Sequence, residues 1–308
     1  MRNKQLKYSC FLVITAFIWG AAFVAQSKGG DTIGPYSFSC LRSFLAALVL
    51  VPVMKLFNRL GITEDRPPTR ENRKNLWTGG ICCGIFLCFT SIFQQLGLYM
   101  GTQAGKAGFL AACYIVIVPI LGLFLKRRCT WNVWLAVVIT LAGLYLLCIK
   151  GTFLLQVSDI MILFASLMSA LHILTVDQFM NKVDVVRMAC IQFLVAGSIA
   201  AIPMFYFDIG HSHLGFQLWI AALSSRDAIL SLLYAGILSG GVAYTLQNLG
   251  QQGVHPTIAS LLLSLESVFA VLTGWVILGE GLNQKELSGC ILIFIAIIAA
   301  QIPVQRKC

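Results

Sequence analysis

Residues 188–207, MACIQFLVAGSIAAIPMFYF, run from Arg187 to Asp208 without a single charge. A helix needs about 20 apolar residues to cross the ~30 Å hydrocarbon core of a bilayer, and this run has that length. It is apolar all round. The strands of a membrane barrel would instead be stretches of about ten residues with strict alternation, so a helix is the better reading. Similar runs recur at 8–27, 107–125, 129–149, 160–176 and 287–305. The run 75–105 holds one further span near 76–99. The run 228–265 holds a span near 228–249 and the start of another near 255–278. Residues 32–54 form a span interrupted only by Arg42. The expectation is an all-α integral membrane protein of about ten transmembrane helices.

Composition agrees. Of the 308 residues, 58% are hydrophobic and 11% charged, with mean hydropathy +0.84. A soluble domain carries roughly a quarter charged residues, so a soluble fold is excluded. Arg2, Lys4 and Lys7 precede the first run, which is too long for a cleaved signal and reads as a retained signal-anchor. The net charge of +10 does not point to nucleic acid, because the charges sit between spans. With the N-terminus inside, sixteen of the 22 Lys and Arg fall on cytoplasmic segments. That positive-inside bias predicts a multi-pass protein of the cell membrane with both termini cytoplasmic. The segment 58–75, with Pro67 and Pro68, reads as a cytoplasmic linker, and 214–223 as a segment along the outer membrane surface. Eleven cysteines contain no C-x-x-C pair and mostly lie within spans, where Cys is a small apolar filler. His211 and His213 have no third ligand nearby, so no metal and no cofactor are expected.

The chain repeats itself. A shift of 152 pairs Gly84 with Gly236, Gln95 with Gln247, Gly101 with Gly253, Leu110 with Leu262 and Gly122 with Gly274. A shift of 150 pairs Cys40 with Cys190 and sets Arg42 against Gln192. Two five-helix repeats follow, at 8–150 and 157–304. Five is odd, so the second repeat enters the membrane inverted, the usual architecture of secondary transporters.

Specific motifs sit on this frame. The first half carries Gly105, Lys106, Ala107, Gly108, Phe109 and Leu110, then Tyr114 and Pro119. The second half reads LYAGILSGGVAY over 233–244, LESVFA over 265–270, then Gly274-Trp275 and Leu278-Gly279-Glu280. This pattern, over about residues 8 to 302, resembles the EamA-type family of the drug/metabolite transporter superfamily. The resemblance implies movement of small polar metabolites, amino acids or drugs. The chain departs from the common pattern at Ser267, where a proline often follows the glutamate, and this puts a kink in the ninth span in doubt.

Polar residues inside the spans are the candidate substrate-binding groups. Arg42 and Glu266 each lie about ten residues into a span, hence ~15 Å deep. A charge there costs at least ~2.5–3.5 kcal/mol and normally faces a cavity or a partner. Arg42 suits a substrate carboxylate. Glu266 suits an amine or a coupling proton. The alternative is an ion pair between the two. Tyr114 takes the position in the first repeat that Glu266 takes in the second. Tyr244, Gln94, Gln95, Gln247 and Asn248 add hydrogen-bonding groups, some of them serving as glue between helices. Trp19 and Phe23 suit an apolar wall or packing, and His172 a proton relay or a satisfied packing role. Pro52, Pro119 and Pro203 are expected to kink their spans.

The sequence has no P-loop, H-E-x-x-H or G-x-S-x-G, so an enzyme is not expected. The expected function is secondary transport, as an exporter working by alternating access, of a small-molecule substrate. A coupling proton, the lipid bilayer and a homodimer are the partners compatible with it. Two alternatives stand: a non-transporting membrane sensor or interaction protein of the same fold, and a translocator of lipid-linked substrates.

Overall fold

A computed structural model describes residues 2–59, 69–102, 104–126, 130–149, 155–210, 212–278 and 283–301. The linker prolines Pro67 and Pro68, His211, Gly279 and Glu280 lie outside the described residues, as does the side chain of Phe23.

The described chain is helical throughout. The first half contains α1 (Arg2–Ile33), α2 (Pro35–Arg59), α3 (Arg70–Tyr99), α4 (Ala104–Ala112), α5 (Tyr114–Phe124) and α6 (Trp131–Cys148). The second contains α7 (Val157–Phe179), α8 (Val185–Pro203), a π-helical segment Met204–Ile209, α9 (His213–Leu223) and α10 (Arg226–Leu233). A second π-helical segment, Tyr234–Ala243, leads into α11 (Tyr244–Gln251), α12 (Pro256–Leu263), α13 (Leu265–Leu278) and α14 (Gln284–Gln301). Eight helical stretches are long and apolar enough to cross a membrane, and α6 adds a shorter apolar helix. Large hydrophobic side chains stand exposed around the molecule, among them Leu48, Val138, Ile202 and Ile298. A soluble protein rarely tolerates so much, whereas a bilayer requires it.

Helix ends follow local chemistry. Thr69 caps α3 by accepting from the Asn72 amide, and Asp184 caps α8 by accepting from Val186 and Arg187. Asn283 and Glu286 satisfy one another's amides at the start of α14, a capping box. Gly34, at φ +89°, makes the tight turn from α1 to α2.

Packing partners are reciprocal between halves. α3 lies on α7 and α8, while the second π segment lies on α1 and α2 and α11 lies on α1. Two pairs bridge like positions: α2 with α8, and α6 with α14. Backbones approach closely where glycine permits. A Cβ on Gly20 would sit 2.6 Å from the Glu266 carbonyl oxygen of α13, and one on Gly143 would sit 2.9 Å from the Gly289 carbonyl of α14.

Two spans read as uniform from sequence each change hydrogen-bond pattern at one residue. The span 107–125 does so at Cys113, and the span beginning at 255 at Ser264. At both sites the ladder shifts to i→i−3 bonds: Cys113 N to Leu110 O, and Ser267 N to Ser264 O. The residue at the shift bonds back to its own helix, Cys113 Sγ to Phe109 O and Ser264 Oγ to Leu261 O. Such back-bonding bends helices. Both residues keep right-handed helical dihedrals, so each site is a local shift of the ladder. Pro52 and Pro119 lie inside α2 and α5, and Pro203 hands α8 over to the π segment. Residues 214–223 are helical, and none of α9 is buried.

Candidate functional site

The ladder shifts place Tyr114 as the first residue of α5 and Glu266 as the second of α13. Both point into one central cavity with about 740 Å³ of space between protein atoms, its opening included. Here Tyr114 donates its hydroxyl to Glu266 Oε1 at 3.4 Å, a long bond that joins the two halves.

All eight candidate residues, Trp19, Arg42, Gln94, Tyr114, His172, Tyr244, Gln247 and Glu266, line this cavity. They come from α1, α2, α3, α5, α7, α11 and α13. Arg42 donates to Ser91 Oγ at 2.7 Å and to Gln26 Oε1 at 3.4 Å, and its guanidinium lies 5.8 Å from the Phe38 ring centroid. Gln94 Nε2 also reaches Gln26 Oε1, at 3.4 Å. Arg42 and Glu266 do not pair with each other. Among the described residues the ion pairs are Lys106 with Asp159 and Arg187 with Asp184. The cavity therefore holds a cation with neutral acceptors and a carboxylate with a phenol donor. A buried charge left with neutral partners retains capacity for an opposite charge.

An aromatic group forms the remaining wall. Trp19 and Tyr244 have ring centroids 4.7 Å apart, and Trp19 Nε1 is held by the Ser239 carbonyl at 3.2 Å. That carbonyl lies in the π segment Tyr234–Ala243. Tyr244 also meets Phe193 at 5.1 Å and His172 at 6.0 Å. The His172 ring nitrogen Nε2 lies 3.2 Å from Gln192 Oε1.

Sequence reading missed Gln26, Ser91, Thr90, Ser169 and Ser239, which also line the cavity. Conversely, Gln95 donates to the Gln26 carbonyl at 3.2 Å, and Asn248 is fully buried; neither lines the cavity. Among the described residues, no three His, Cys, Asp or Glu side chains form a group able to hold a metal ion.

The chain is similar to known proteins. The EamA-like transporter family model matches residues 6–149 and again 156–300. An uncharacterized transporter of Archaeoglobus fulgidus is 27% identical, the match covering 98% of this chain and 88% of the relative. The uncharacterized transporter YwfM of Bacillus subtilis is 23% identical over 94% of this chain and 92% of its own. One solved crystal structure, 16% identical, shares the fold with a TM-score of 0.74 over 96% of each chain. With both halves matching the family model in turn, the chain belongs to the EamA-like transporter family.

Proposed function

We propose that this membrane transporter carries small zwitterionic solutes, amino acids foremost, by alternating access of a single central site. The supporting observation is the cavity itself. It offers the Arg42 guanidinium and the Glu266 carboxylate without letting them neutralise each other. A solute bearing a carboxylate and an ammonium would meet both charges, and Trp19 and Tyr244 would pack its apolar part. A neutral solute would leave the buried Arg42 guanidinium with neutral partners only.

In this reading the ten spans form two inverted five-helix repeats in the cell membrane, with both termini cytoplasmic. The reciprocal packing of the halves supports that arrangement, because inversion makes the two gates equivalent in construction. Transport is secondary and runs outward, with Glu266 able to take a coupling proton when no ammonium is present. Counterflow in proteoliposomes tests this, with a panel of radiolabelled amino acids, nucleobases and polyamines. Uptake of amino acids by wild type, lost in Glu266→Gln, is the expected result. Flat traces for every solute, from protein shown to be folded, would remove the transport reading in favour of a sensor of the same fold.

A further inference from the structure

A second pocket lies beside the α1–α2 turn, with about 1030 Å³ of largely open space. Among the described residues it is bordered by four aromatic side chains, Tyr36, Tyr99, Phe207 and Trp219, and by one carboxylate, Asp208. No Lys or Arg lines it among the described residues. We propose that this pocket binds organic ammonium cations, the trimethylammonium group in particular, at a site separate from the central cavity.

The carboxylate is built in rather than incidental. Asp208 accepts from the Ser37 amide at 2.5 Å. Gly34 makes room for it: a Cβ there would run into the Asp208 carboxylate. Trp219 is fixed to the same unit, its Nε1 donating to Ser37 Oγ at 2.9 Å. The indole and the carboxylate are thus held through one shared serine before any ligand arrives. Tyr36 and Phe207 stack at 5.4 Å, while Tyr99 and Phe207 remain 59% and 70% exposed.

Aromatic residues are ordinary at a membrane interface, where they stand as a belt. Here four border one pocket around a fixed negative charge. A cation within about 6 Å of a ring face is attracted by the ring quadrupole, and aromatic cages are the established solution for quaternary ammonium groups. A trimethylammonium has no N–H to donate, so it draws on the carboxylate's charge and on the ring faces. The pocket also takes Leu96 and Tyr99 from α3, within about two turns of Gln94 in the central cavity.

The test is saturation-transfer NMR on the full-length protein in phosphatidylglycerol nanodiscs. The probe is choline, with 3,3-dimethyl-1-butanol as its neutral isostere. Choline is expected to bind and the isostere not. Tyr99→Leu and Phe207→Leu, both at exposed positions, should each weaken choline about two- to fivefold, as expected for one cation–π contact. Asp208→Asn should weaken it further, and Glu266→Gln should leave it unchanged. Equal signals from choline and the isostere would overturn the proposal. So would wild-type affinity in both leucine variants, or loss of choline binding in Glu266→Gln alone. Repeating the titration in phosphatidylcholine nanodiscs identifies the source of the group. Competition marks the lipid headgroup as occupant and unchanged binding marks a free solute; both support the site.

Discussion

Breaking the Lys106–Asp159 pair should destabilise the protein by about 2–4 kcal/mol. The pair joins the start of α4 in the first half to the start of α7 in the second. The Asp159 side chain is 1% exposed, and it also accepts from Thr102 Oγ1 at 3.1 Å and from the Gln156 amide at 2.7 Å. Removing one partner of a fully buried pair costs about 3–5 kcal/mol. Lys106 is 18% exposed, so water recovers part of that. Loss of the capping contact to Gln156 adds about 1 kcal/mol. Asp159→Asn keeps the shape and removes the charge, which isolates the electrostatic part. The assay is a double-mutant cycle with Lys106→Met, read by thermal and denaturant unfolding in detergent. Groups in direct contact couple by about 0.5–3 kcal/mol, so the double variant should lose less than the two single variants together. Additivity within about 0.3 kcal/mol would refute the pairing as a tie between halves.

Three further outcomes follow from the site. Gly20→Ala should cost about 1–3 kcal/mol of stability and lower transport, because its Cβ meets backbone at Glu266 and Ala270, which cannot give way as a side chain can. Unchanged melting and flux would show that α1 and α13 have more room than these distances allow. Gln26→Glu should reduce amino-acid counterflow at least tenfold by presenting Arg42 with an internal anion; normal flux would remove Arg42 as the carboxylate anchor. Tyr114→Phe should keep stability within about 1 kcal/mol, since the bond it loses is 3.4 Å long, yet alter solute affinity. A variant identical to wild type in binding would leave Tyr114 as packing alone.

The site was legible wherever polarity is expensive. Arg42 and Glu266 stand out because a charge deep in an apolar run needs a reason, and both reach the cavity. Gln26 escaped notice because it sits two residues before Lys28, near a span end where polar side chains are ordinary. Thr90, Ser91, Ser169 and Ser239 escaped because hydroxyl groups satisfy themselves on the preceding turn anywhere in a span. Whether Arg42 and Glu266 pair was beyond sequence, since it depends on how α2 and α13 are placed about the cavity. The ladder shifts at Cys113 and Ser264 were hidden for a related reason. Neither carries the glycine or proline that usually announces a helix irregularity, and the only local cue was a small side chain able to bond backwards. Helix existence was set by long apolar runs, whereas regularity within a run was decided by single hydrogen bonds.

The central claim is that the cavity between Arg42 and Glu266 is a solute site that opens to each side of the membrane in turn. Thr90 lines that cavity, so a Thr90→Cys variant in a background free of other cysteines places a thiol within it. Membrane-impermeant thiol reagents are applied from either side of oriented proteoliposomes, with and without saturating amino acid. The account expects modification from both sides, each slowed by the amino acid that wild type carries. Modification from one side only, at a rate indifferent to every solute in the panel, would contradict it.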